Sequence, residues 1–246
     1  MIGRSAAIAC ALIAAFWLFP TPLGAQEISI SLGDDGSLSA RTIQLFALIT
    51  VLSLAPGLAI MFTCFPFLVT VLSILRQAIG LQQSPPNMLI VSLALFLTYF
   101  VMEPVFTEAW TKGIAPLTAE EITAEQAFNR TLAPFRVFMA ARLDADTFLA
   151  MADLRPDLQL TEPDPETPLS ILVPSFLLSE ISRAFQIGFL VFLPFLIIDL
   201  VVAAILMSMG MMMVPPAIVS LPFKLAFFVV ADGWSLIAGS LVRSYF

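Results

Sequence analysis

The residues able to do chemistry in this 246-residue chain are few, and they lie in apolar company. Asp199 sits in Leu196-Ile197-Ile198-Asp199-Leu200-Val201-Val202 and Lys224 in Leu221-Pro222-Phe223-Lys224-Leu225-Ala226. An isolated charge at mid-bilayer costs about 3 kcal/mol on insertion scales, so each should face protein, water or an opposite charge. Two uses stay open: a proton relay or gate latch, and an ionic pair that fixes helix register within or between subunits. Glu180 and Arg183, three residues apart on one helical face, suit assembly contacts better than catalysis. The run Met207-Ser208-Met209-Gly210-Met211-Met212-Met213 precedes Val214-Pro215-Pro216. The prolines forbid a continuing helix and Gly210 loosens the turn before them. Met211, Met212 and Met213 are therefore expected in a non-helical or re-entrant bend, which at membrane depth must be buried in protein or line a cavity. Unbranched thioethers re-pack around whatever passes, so the bend suits a seal around a polypeptide; apolar filler is the other reading.

Other chemistries lack their residues. Histidine is absent, which removes the commonest general base, the commonest zinc ligand and every Ser-His-Asp or Cys-His arrangement. Cys10 and Cys64 have no CxxC spacing, so no disulfide framework or metal site is expected. HExxH, GxxxxGK[ST] and GxGxxG do not occur, which excludes zinc-protease, ATPase and Rossmann readings. No cofactor is implied, and the chain reads as a non-enzyme. With 11 basic against 18 acidic residues it also has no surface to neutralise phosphates, so nucleic acid is not an expected partner.

The elements that hold these residues must be membrane helices. Apolar residues make up 59% of the chain and charged ones 12%, where a soluble domain carries about 25% charged. Arg4, the apolar run Ala6 to Phe19, Pro20, Pro22 and small residues to Ala25 make a cleavable secretory signal peptide over 1–25. A retained anchor helix is the alternative, but a run of about 14 residues falls short of the about 20 that a span needs. An exported strap, 26–42, follows.

Four hydrophobic stretches come next. Ile43 to Ile79, interrupted by Pro56-Gly57 and Pro66, would as one helix measure about 55 Å, so it must tilt, kink, project or fold back at Pro56-Gly57. Met88 to Trp110 completes a first helical pair over 43–111. Leu169 to Met213 should have its first half, to Gln186, in protein or at the interface and its second half, from Ile187, in the bilayer. Ala217 to Val242, interrupted by Pro222, completes the second pair over 169–246.

Between the pairs, 112–168 reads as a small acidic exported helical domain, with ten acids against four arginines from Glu120 to Glu166. Thr118-Ala119-Glu120-Glu121 has the form of a capping box, and Pro134 suits the first turn of a second helix. There Phe135, Phe138, Met139, Arg142 and Leu143 make an apolar stripe interrupted only at Arg142. The fold class is thus an all-α membrane protein. By hydropathy, four spans would put both termini and the acidic domain outside; Arg76 supports an inner first loop.

Two motif blocks resemble the FliP family of flagellar protein-export gate subunits, which is similar to the SctR subunits of type III secretion. The first is Leu75-Arg76-Gln77-Ala78-Ile79-Gly80 with Gln82-Gln83-Ser84-Pro85-Pro86-Asn87. The second runs from Phe185-Gln186-Ile187-Gly188-Phe189 through Pro194 to Val201, Met207 to Met213, Pro215-Pro216, Leu221-Pro222-Phe223-Lys224 and Asp232-Gly233-Trp234. At Phe65-Pro66-Phe67 the chain departs from the family, which usually places Thr-Arg after the phenylalanine. The resemblance implies kinked helical hairpins in a funnel-like oligomer of this subunit with FliQ and FliR, displaced toward the periplasm. FlhA, FlhB and the basal-body ring of the inner membrane are its implied neighbours, and unfolded flagellar proteins its cargo. It implies that Met209 and Met211 to Met213 form a gasket, and that Phe138 takes part in assembly. A non-flagellar secretion gate, and a proton-coupled channel using Asp199 and Lys224, are the alternatives.

Overall fold

The computed structural model describes residues 38–81, 84–155, 158, 162–211 and 213–246. The signal-peptide expectation and the exported strap up to residue 37 lie outside the described residues, as does Met212. Two compact units divide at Thr50 and Val51. The described part of the first is the opening of helix α1 (Leu38–Met61), so the last residues assigned to the strap are helical.

The second unit holds α2 (Phe65–Ile79), α3 (Asn87–Ala109), a π-helical turn (Trp110–Ile114), α4 (Ala115–Thr118), α5 (Ala124–Arg142), α6 (Ala145–Ala152), α7 (Leu169–Ser208), α8 (Pro216–Val230) and α9 (Gly233–Arg243). Every regular element among the described residues is helical. Two continuous helical stretches, Asn87–Thr118 and Leu169–Ser208, are long and apolar enough to cross a membrane, and α8 with α9 makes a third if the bent pair counts as one span.

The short helix α2 is the centre of the packing. Phe67, Leu68, Val71, Leu72, Leu75, Ala78 and Ile79 are all buried, giving it apolar contact on most of its circumference, against α3, α7 and α8. Cys64 is buried beside it, and burial pushes its thiol up to about 12, so it stays protonated and unreactive at neutral pH.

Several breaks differ from those read in the sequence. The first hydrophobic stretch does not fold back at Pro56-Gly57, which lie within α1; it breaks at residues 62–64, directly before Pro66. Pro66 has no N–H to give to a preceding turn and disfavours helical geometry at the residue before it, yet is well suited to the first turn of α2. The capping box is Thr123 with Gln126, not Thr118 with Glu121. Thr118 is the last residue of α4, and its hydroxyl donates to the Ala115 carbonyl. Pro134 lies buried inside α5 rather than at a helix start, where the loss of one backbone bond is offset by packing. Pro222 likewise lies inside α8; the last stretch breaks at Ala231-Asp232, where Asp232 has a left-handed φ of 46° and the axes bend by 61°. The third stretch is one helix of 40 residues, about 60 Å long, continuous through Pro174 and Pro194.

Candidate functional site

The charged residues of the apolar runs meet where α7 and α8 pass α2. Lys224 Nζ donates to Asp199 Oδ2 at 2.6 Å and to the Ala78 carbonyl at 3.2 Å. Ser220 Oγ donates to Asp199 Oδ1 at 2.5 Å. Lys224 is buried, so this pair exists in a medium where either charge alone would be costly. Within the single chain the two charges thus face each other. Ser220 and the Ala78 carbonyl escaped the sequence reading, although Ser220 precedes Lys224 by four residues and so lies over the same helical face.

Glu180 and Arg183 do share a face of α7, and both turn to the corner where α5 passes into α6. The Glu180 carboxylate is fully buried within the single chain: it accepts from Arg142 Nε at 3.2 Å and from the Tyr245 hydroxyl. Arg142 Nη1 donates to the Ser244 carbonyl at 2.9 Å, and the guanidinium lies 4.0 Å from the Tyr245 ring centroid. Burial first, and the adjacent Glu180 charge second, push the Tyr245 phenol well above its ordinary range, so it remains a donor.

On the other side of the corner, Asp144 caps α6 by accepting from the Thr147 amide at 3.0 Å, and its own amide donates to Ser179 Oγ. The Thr147 hydrogen bonds hold the Asp144 carboxyl below its ordinary value, with the Arg183 charge contributing further. With no exposed surface, the Glu180 carboxylate is held by Arg142 and Tyr245 of its own chain. Phe138 has intrachain partners too, stacking on Tyr245 with centroids 6.1 Å apart and meeting Phe176 edge-on at 5.8 Å. The departure at Phe65-Pro66-Phe67 places Phe67 in the same core, edge-on to Tyr245 at 5.6 Å.

The methionine bend begins where α7 stops. Gly210 takes φ 72°, the Met211 amide donates to the Leu206 carbonyl at 3.0 Å, and the Gly210 amide donates to the Met207 carbonyl at 3.1 Å. This is a Schellman stop, which needs a left-handed residue that glycine supplies without strain. Met209 and Met213 project with 67% and 98% of their surface exposed, while Met211 and Met209 border a wholly apolar groove of about 560 Å3. Ile197, Val201, Ile205 and Phe223 are among the other residues that line it.

Residues 48–241 match the FliP family. Among similar proteins, the flagellar biosynthetic protein FliP of Caulobacter vibrioides is 50% identical, the comparison covering 100% of this chain and 90% of the relative. Those of Bacillus subtilis and Aquifex aeolicus are 44% and 45% identical over 89% of this chain and 99% and 91% of their own lengths. The matched region takes in the ion pair, Glu180 and the methionine bend, and the chain belongs to the FliP family.

Proposed function

We propose that this chain is a subunit of the flagellar protein-export gate, a non-enzymatic oligomeric pore that passes unfolded flagellar proteins across the inner membrane. Its relatives carry the name of flagellar biosynthetic proteins, and its long apolar helices suit a membrane-embedded member of an assembly. Further copies of itself, FliQ and FliR complete the gate, with FlhA, FlhB and the basal-body ring as neighbours.

The observation that carries the mechanism is the exposure of Met209 and Met213 at a bend held by a defined helix stop. A 98% exposed methionine contributes nothing to the packing of its own subunit, so its thioether is available to methionines of other copies. Met209, Met211, Met212 and Met213 from several subunits close the pore at rest and yield around an extended chain. The mutual pairing of Asp199 and Lys224, with Ser220 and the Ala78 carbonyl as further partners, supports a register lock in preference to a proton relay.

The test replaces Met211, Met212 and Met213 with Ala in cells and reads membrane ion leakage beside export of a flagellar subunit. Leakage with an intact assembly is expected. Normal export without leakage would overturn the seal.

A further inference from the structure

A second cleft, of about 900 Å3, opens between α2, α7 and α8, and its chemistry differs from that of the apolar groove. Three charged side chains border it: Arg76, Asp199 and Lys224. Asp199 and Lys224 neutralise each other at 2.6 Å. Arg76 is half-buried in the last turn of α2 and, among the described residues, bonds only neutral acceptors, the Asn87 side-chain oxygen and the Pro85 carbonyl at 3.4 Å. The cleft therefore keeps one net positive charge. Its hydroxyls do not compete for an anion: Thr70 and Ser73 donate to the Pro66 and Val69 carbonyls at 2.7 and 2.6 Å. Arg76 and Gln77 are left as the donors along that wall.

We infer that this cleft receives one acidic side chain, carried by an apolar helix of a neighbouring membrane subunit, with Arg76 as its counter-ion. Charge complementarity selects the occupant. A guanidinium beside low-dielectric walls presents a planar fork matched to a carboxylate, and leaving it unneutralised there is costly. Lipid-headgroup sites are built from several clustered basic residues, whereas here a single charge, bonded among the described residues only to neutral acceptors, is bordered by Phe185, Phe192 and Ile74. Phe185, 61% exposed on the border, supplies apolar surface for the incoming helix rather than for a headgroup.

The test uses the full chain in its native membrane, with Phe185→p-benzoylphenylalanine as a near-isosteric photoprobe. The crosslinked peptide is sequenced. An adduct on a hydrophobic segment of another subunit, within one helical turn of an Asp or Glu, is expected. Its yield per chain in the membrane should fall at least about five-fold with Arg76→Gln and less with Arg76→Lys, because a carboxylate responds to the charge first and to the fork second. Because the adduct is first sought with Arg76 intact, poor accumulation of the Gln variant leaves the test standing. An adduct with phospholipid alone, one on a segment without an acid, no adduct, or a yield indifferent to Arg76→Gln overturns the inference. None of these readouts depends on export, so the site stands or falls separately from the gate mechanism.

Discussion

Lys224 and Asp199, 25 residues apart in sequence, join α7 to α8 by a 2.6 Å ion pair, and Lys224 also bonds the Ala78 carbonyl near the end of α2. Three helices are thereby held at one level. The pair is partly buried, so removing one member leaves an uncompensated charge in a medium of reduced dielectric, whereas removing both costs far less. Asp199→Asn and Lys224→Met should each lower the unfolding temperature in detergent markedly, and the double variant should recover part of the loss. A double variant as damaged as the sum of the two singles would end the register reading. Export lost equally in all three variants while stability recovers would point to proton transfer instead.

The Glu180 corner predicts a ranking. Arg142→Met removes the main positive partner of a fully buried carboxylate, together with a ring contact and the Ser244 bond, and should cost about 3–5 kcal/mol. Tyr245→Phe removes one charged-acceptor hydrogen bond and keeps the stacking on Phe138, and should cost about 1.5–3 kcal/mol. Chemical unfolding of the two variants in one detergent decides the order. The reverse order would mean that the chain end, rather than the charge pair, holds the corner.

What could be read in advance follows from how few options a residue has. Asp199 and Lys224 lie in runs with almost no other charge, so their mutual contact was legible. The clasp on Glu180 was not, because Arg142 and Tyr245 stand 38 and 65 positions away and the nearer Arg183 offers a simpler pairing. Its one trace was Arg142 interrupting an apolar stripe. Helix breaks were misread for a related reason. A proline such as Pro134 or Pro222 removes one backbone bond, a local loss that packing of a long helix absorbs, so sequence alone overstates its power to interrupt. The true break at Asp232 depends on a left-handed backbone, which Asp tolerates better than most residues, and the turn dipeptide Asp232-Gly233 was its one signal.

Asp144 makes the acidic domain sensitive to acid. Its folded carboxyl is held below the ordinary carboxylate value, first by the Thr147 amide, so folding favours the ionised form. The contribution is present above the unfolded value and disappears as pH falls through the lower folded one. Asp144→Asn keeps a competent cap without a titrating charge, and Asp144→Ala loses both. The stability gap between wild type and Asp144→Asn should therefore narrow on acidification from pH 6 toward pH 3, while part of the gap to Asp144→Ala remains. Denaturant melts of the three proteins across that range test this. A gap to Asp144→Asn that widens with acid would reverse the sign and remove the cap from the account.

Gly113 and Gly188 both mark close helix approaches, but they should answer differently to one added methyl group. At Gly188 a Cβ would meet Ile74 Cδ1 at 2.4 Å, the far end of a side chain that can rotate away. At Gly113, in the π-helical turn against α5, it would lie 2.0 Å from Thr131 Oγ1 and also 2.8 Å from the Thr131 backbone nitrogen. No rotamer relieves the second contact, so the turn and α5 must separate. Gly113→Ala should cost about 1–3 kcal/mol, and Gly188→Ala less. Adding Thr131→Ala to Gly113→Ala removes the hydroxyl but leaves the backbone in place, so it should restore little. Full recovery in that double variant, read by thermal unfolding, would show that the side chain alone sets the spacing of these elements.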